Sequence, residues 1–307
     1  MKSPILYIIF NRIDTTDKSF ETIRNAKPSK LYIAADGPRS SVIGEGELCN
    51  KVREIALKVD WDCEVKKLFQ DENLGCKKAV VTAINWFFDN EEEGIILEDD
   101  IIPKPEFFDF VDIMLNKYRN DNKIKAVLGF NQFGQNVNSD TYFYSRGFYA
   151  WGWATWRSRW KNFQESVTDI SDLDDIAIRK TYHKAVLRGV KFNLNLVKAG
   201  LLDTWDYQMV YMTIREKGYT IVPYANLTSN IGADGAHSVN NKNIFHNYGN
   251  LSISDLKYPD IIEDNEEMNQ KLWAEYKSAS KIVFFKTILF KLNIYKLIRN
   301  LYKKLKK

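Results

Sequence analysis

The sequence predicts an α/β fold, a mostly parallel sheet flanked by helices, that ends in an amphipathic helical tail. Three observations lead there. Short apolar runs alternate with helix-length amphipathic segments through the first 130 residues. Polar clusters recur where those runs end. The closing 281–307 stretch then turns abruptly basic and apolar.

The elements follow in order. Pro4 to Phe10 reads as an apolar strand, and Thr15 to Ala26 as a helix with a polar face. Lys30 to Ala35 is a second strand, ending in the turn signal Asp36-Gly37-Pro38. Glu45 to Val59 is helical, Glu64 to Phe69 a strand, and Lys77 to Asp89 a helix with Val80, Val81, Ile84 and Phe87-Phe88 inward. Gly94 to Leu97 is a short buried strand running into Glu98-Asp99-Asp100. Pro105 to Arg119 is a helix, with another strand at Lys125 to Phe130. This βαβ rhythm implies a parallel sheet with right-handed crossovers. The expected layout is a body over 1–265, halved near 135–140, and a tail over 266–307. Residues 136–140 and 229–250 read as loops.

Composition excludes several classes. At 45% hydrophobic and 27% charged, the 307-residue chain is neither disordered nor collagen-like. Cys49, Cys63 and Cys76 form no CxxC pair, and three histidines supply a zinc site poorly. They read as reduced thiols of a cytosolic protein. Met1 to Arg12 lacks a small-residue cleavage site, so it does not read as a signal peptide. No apolar run reaches the roughly 18 residues of a membrane span.

Charge is unevenly spread. Residues 281–307 hold nine Lys/Arg and no acid, so the other 280 carry −5 against +4 for the whole chain. Ile294, Leu297, Ile298, Leu301 and Leu305 form one helical stripe, with Lys296, Arg299, Lys303 and Lys306 opposite. Packing on the body leaves the cations unexplained, and nucleic-acid binding leaves the apolar residues unexplained. An interfacial helix on an anionic membrane uses both. The expectation is a peripheral protein on the inner membrane face, with no nucleic-acid partner.

Three features carry chemistry. Glu98-Asp99-Asp100 places three carboxylates after a buried strand, a costly arrangement without a counter-cation. Hard oxygens suit Mn²⁺ or Mg²⁺ bridging a diphosphate, although a solvated acidic turn before Pro103 is the plainer alternative. Tyr142 to Phe163 holds ten aromatics, including Trp151, Trp153, Trp156 and Trp160, which suit core packing or a sugar face. Gly152 between two indoles suggests a close backbone approach that a pure core would not require. Asp203-Thr-Trp205-Asp206 opens a helix, with Asp203 as its N-cap and Asp206 complementing the dipole or serving as a general base. No G-x-G-x-x-G and no P-loop is present.

Over roughly residues 4–240 the combination resembles a GT-A fold glycosyltransferase, and specifically the N-acetylglucosaminyltransferase I family. Pro4 to Arg12 resembles that family's first strand with its Asn11-Arg12 end facing the nucleotide. Asp36-Gly37 is similar to the segment contacting uracil, and Ile95 to Asp100 to its variant DxD motif. Gly152-Trp153 resembles the segment beside the donor sugar, Trp205-Asp206 the pair carrying the catalytic base, and Ser229 to His237 the loop that orders over the donor. Tyr207 stands where the family has a second acid.

The resemblance implies an inverting transferase using a UDP-sugar, N-acetylglucosamine foremost, with Mn²⁺ or Mg²⁺. It casts Asp100 as metal ligand and Asp206 as base. Asn11, Arg12, Asp36, Gly37, Glu98, Asp99, Gly152, Trp153 and Trp205 then line the nucleotide sugar. The expected acceptor is a glycan or lipid-linked sugar hydroxyl in surface polysaccharide synthesis. The rival readings are a sugar-nucleotide pyrophosphorylase and a non-catalytic membrane-binding module.

Overall fold

The structure, a computed structural model, describes residues 2–132, 140–232 and 251–305, with side chains through 300. Its first half alternates as the apolar periodicity requires: β1 (Ile5–Ile9), α1 (Ile13–Ala26), β2 (Lys30–Ala35), α2 (Glu45–Ala56), β3 (Glu64–Phe69), α3 (Cys76–Asn90) and β4 (Glu93–Glu98). A short β5 (Ile101–Pro103) precedes α4 (Pro105–Tyr118), whose first residue is a proline pre-set for a helix start, and β6 (Ile124–Leu128) follows. Then come β7 (Tyr142–Ser145), β8 (Trp153–Trp156), α5 (Arg157–Trp160), α6 (Ile176–Thr181), α7 (Lys184–Lys198) and α8 (Asp206–Arg215). The described chain ends with β9 (Tyr219–Pro223), β10 (Thr228–Asn230), α9 (Glu266–Lys291) and α10 (Tyr295–Leu305).

Among the described residues, eight strands form the main sheet in the order β3-β2-β1-β4-β8-β6-β9-β7. Strands β1 to β4 are mutually parallel, and β6 is parallel to β9. The departure from the predicted rhythm is β8, which runs antiparallel between β4 and β6. Its residues read in the sequence as an aromatic cluster. Only pairing with Ile96 on one side and Leu128 on the other makes Trp153 a strand residue.

Alternation along the strands feeds two cores. Ile5, Tyr7, Ile9, Leu31 and Ile33 face α1, α2 and α4, where Phe20, Val52, Phe107 and Met114 are buried. Leu6, Tyr32 and Ile96 face the opposite layer, with Val80, Ile84 and Phe87 of α3 and Met209 and Met212 of α8. Each such aliphatic or aromatic side chain removed from water contributes about 1.5–3 kcal/mol. Helix α9 begins inside the body, with Met268 and Leu272 buried, and then packs along α7. Gly189 lies against the Tyr276 ring, and Phe192 meets Phe290 edge-on.

Candidate active site

The chain leaves β1 for β2 on one side and returns to β4 on the other. Loops diverge at such a switch point and open a crevice beyond the carboxyl ends of the strands. Glu98, the last residue of β4, lies in register with Ile8 of β1. Asp99-Asp100 and Asn11-Arg12 therefore emerge side by side. Arg12 pairs with Asp99 Oδ1 and, at 2.9 Å, with Asp100 Oδ2. The counter-cation that the sequence left open for the acid triplet is thus partly internal.

That pairing is incomplete. Asp99 and Asp100 are buried, and Asp100 Oδ1 has no hydrogen-bond partner. Burial, then the Asp100 and Asp99 carboxylates, push Glu98 well above the usual carboxylate range; Arg12 opposes this and Asp206 adds to it. Burial raises Asp99 to about 6 against the opposing pull of Arg12. Arg12 pays for its own burial, but Asp99 and then Asp100 hold it charged. One cation facing three crowded acids leaves the site short of positive charge.

Strand β10 pairs with β5 and carries the chain back over this cluster. Ile231 donates its N–H to the Asp100 carbonyl at 2.8 Å. A Cβ on Gly232 would fall 2.2 Å from Asp100 Oδ2 and 2.8 Å from an Arg12 nitrogen, so any larger residue there would push the Arg12–Asp100 pair aside. Ser229 to Gly232 of the expected covering loop therefore lie on the acids. Ala233 to His237 fall outside the described residues, as does most of the 136–140 loop.

The facing wall comes from β2, α3 and α8. The Asp36 carboxylate accepts from the N–H groups of Gly37 and Leu74, both at 2.9 Å, and from Asn73 Nδ2 at 2.8 Å. It organises the loop leading into α3. Asp203 corrects an expectation: it does not cap its own helix but accepts the N–H groups of Cys76 (2.9 Å) and Lys77 (3.1 Å), capping α3 from 127 residues away. Trp205 takes the N-cap position of α8, and Asp206 opens the helix. Asp206 Oδ1 accepts from Thr204 Oγ1 (2.5 Å) and Tyr207 N–H (2.9 Å), which fixes the carboxylate at the helix start.

Cys76, exposed at the start of α3, faces these acids. Desolvation by the surrounding chain, then Glu98, Asp203, Asp206 and Asp36, push its thiol up to about 12. The fold thus gathers acids from four separate segments around one point. On the far side, α9 contributes Tyr276, whose phenol burial raises strongly, helped by Tyr207, Asp206 and Glu275. Nothing local in the sequence singled out Tyr276 or Glu275.

The remaining expected residues are placed differently. Asn11 donates to Glu45 Oε1 at 2.8 Å, inside a pair that Glu45 makes with Arg39. Trp153 and Trp205 are core residues, 0% and 3% exposed, stacked at 5.6 Å beneath the cleft rather than lining it. The Trp153 indole N–H is buried without a partner. Gly152 has φ +76°, and a Cβ there would sit 2.8 Å from Thr228 Cγ2. Its close approach is therefore to β10, a packing requirement, and not evidence for a ligand.

The donor set can be tested against a divalent cation. Among the described residues, no group of three or more His, Cys, Asp or Glu side chains encloses a metal position. The orphaned Oδ1 of Asp100, one of several buried unpartnered polar atoms, fits an open site instead, one carboxylate with the other ligands supplied by substrate or water. A surface cavity of about 460 Å³ opens at the opposite ends of the strands near Pro4, Glu93, Arg119 and Arg157. Its charges are matched there: Arg119 with Glu93 and Arg157 with Glu92.

No protein-family model and no curated protein sequence matches the chain. Among solved structures it is similar to the glycosyltransferase GlyE of Streptococcus pneumoniae, at 10% identity and a TM-score of 0.35, over 72% of this chain and 45% of that one. It is similar to mouse xyloside xylosyltransferase 1 at 10% identity and a TM-score of 0.33, over 71% and 82%. It is also similar to HddC of Yersinia pseudotuberculosis at 7% identity and a TM-score of 0.33, over 51% and 77%. The α/β architecture itself rests on the topology of the described chain.

Proposed function

We propose that the protein is a metal-dependent, inverting GT-A glycosyltransferase that moves a sugar from a UDP-sugar to a glycan hydroxyl. N-acetylglucosamine is the donor sugar tested first. The observation carrying this reading is the buried, unpartnered Asp100 Oδ1 within an acid cluster at the switch point, with Asp206 across the same cleft. A stable fold gains nothing from such a group. A substrate that brings its own cation would relieve it.

In this reading Arg12, Asn11, Asp36 and Gly37 form the nucleotide end, and Glu98 and Asp99 orient the donor sugar. Trp153, Trp205 and Gly152 support the pocket from below. Asp100 would hold Mn²⁺ or Mg²⁺, which when bound offsets charge on the diphosphate. Asp206 accepts the proton of the acceptor hydroxyl as its oxygen bonds to the anomeric carbon. The bond to UDP breaks in the same displacement, and configuration inverts.

Calorimetric titration of UDP-sugars with and without Mn²⁺, on wild type and Asp100→Ala, tests the assignment. Binding that requires Mn²⁺ and weakens at least about tenfold in the variant is expected, the loss of one charged ligand contact. A folded protein that binds no UDP-sugar in the presence of metal overturns it.

A further inference from the structure

The outward face of α9 and α10 has no counterpart on the body among the described residues. Phe285 (64%), Ile282 (60%), Leu292 (62%) and Leu297 (62%) stand exposed, with Ile288, Ile294 and Ile298 beside them. Phe284, at the inner border, meets the Arg188 guanidinium of α7. Isolated exposed aliphatics are ordinary, but a run of seven is an interaction surface. At 100° per residue, Ile282, Phe285, Ile288 and Leu292 span an arc of about 120° on α9. Lys286 and Lys291 flank that arc on either side, and Lys281 lies within it.

The inner faces of these helices are anchored. Arg188 donates to Ser280 Oγ at 3.1 Å, Phe290 and Tyr295 meet Phe192, and Arg299 donates to the Leu201 carbonyl. The apolar face is therefore presented by docked helices. The stripe noted in the sequence on α10 points outward for Ile294, Leu297 and Ile298. Lys281, Lys286, Lys291 and Lys296 are exposed and make no ion pair among the described residues.

We infer that this face docks in the plane of an anionic lipid surface, apolar side chains entering the headgroup boundary and lysines meeting the lipid charges. Charge decides among occupants. No acid occurs over 281–307, so two copies meeting through this face would bring like charges together. Nucleic acid would satisfy the lysines but leave seven apolar side chains against phosphate and water. Anionic lipid matches both, with the lysine stems reaching along the boundary. Among the described residues, no helix is long and apolar enough to cross a membrane.

The test is flotation of the full chain with vesicles of phosphatidylcholine alone or with about 30 mol% phosphatidylglycerol, at low and high salt. Binding is expected only to the anionic vesicles and is expected to fall as salt rises. Lys286→Gln, Lys291→Gln and Lys296→Gln together should weaken partitioning about 100-fold, roughly fivefold per lysine. Phe285→Ser with Leu292→Ser should weaken it at least about tenfold, while Ile176→Ser, an exposed aliphatic elsewhere, should not. Circular dichroism checks that each variant folds. Equal binding to both vesicle types overturns the inference, as does binding unchanged by the lysine or apolar variants. A light-scattering dimer that Phe285→Ser dissolves, without vesicle binding, would make the partner a second copy instead.

Discussion

The two ends of the central sheet hold charged clusters of opposite kinds. At the amino-terminal end, Arg119, Arg157 and Arg159 are paired with Glu93, Glu92 and a set of carbonyls, around a surface cavity. At the carboxyl end, one arginine faces Glu98, Asp99 and Asp100, and an oxygen is left over. The first cluster has its charges matched. The second does not, and in the proposed reading a bound cation completes it. Unbalanced charge is what distinguishes the two ends.

Substitutions at the two ends should therefore fail in different ways. The largest effect is expected from Asp206→Asn, which in the proposed reading removes the base and should lower kcat about 10²–10⁴-fold. The amide oxygen can still accept from Tyr207 and Thr204, so affinity for UDP should stay within about threefold; equal loss of UDP binding in calorimetry would break the assignment.

Arg159→Ala should cost stability rather than chemistry. Its guanidinium donates to the Tyr118, Arg119 and Asp121 carbonyls at 2.8–3.0 Å, closing the end of α4. Stranding those buried acceptors costs about 3 kcal/mol. Urea denaturation measures this, and turnover per folded molecule should be unchanged.

Glu98→Gln should instead stabilise while impairing transfer. A carboxyl whose folded pKa lies above its ordinary 4.5 favours the folded state below 4.5 and loses that contribution as pH rises through the raised value. At pH 8 the variant should melt higher, by about 2–4 °C for each kcal/mol relieved, and at pH 4 the gain should vanish. A lower melting temperature at pH 8 would mean that the acid cluster is not under charge strain. The smallest effect is expected from Arg157→Ala, whose partner Glu92 is 80% exposed; the change in stability should stay within about 0.5 kcal/mol.

The half of the sheet running from β3 to β4 was legible because each strand is a local apolar run followed by its own crossover helix. Its strand-end clusters then lead to Arg12 and the three acids. Strand β8 was not legible, because its neighbours Ile96 and Leu128 flank it in space and not in sequence. The same separation hid Asp203, whose partners lie 127 and 126 residues away. Trp153 and Trp205 misled for a different reason. An indole is equally suited to a core and to a sugar face, and only burial distinguishes the two. Tyr276 went unnoticed because α9 reads as a tail, yet its first turns are inserted in the body.

Helix α9 has a consequence of scale. Tyr276 feels Asp206, and Phe285, nine residues on, stands in solvent. At 1.5 Å per residue that separation is about 14 Å along a single continuous helix, so the chain carries a fixed measure between the acid cluster and the outer face. If that face lies in the plane of a bilayer, as inferred above, the helix axis runs along the surface and the 14 Å is a lateral spacing. The acid cluster would then be held beside the lipid contact rather than above it, at an offset that the backbone fixes before any side chain reads a ligand.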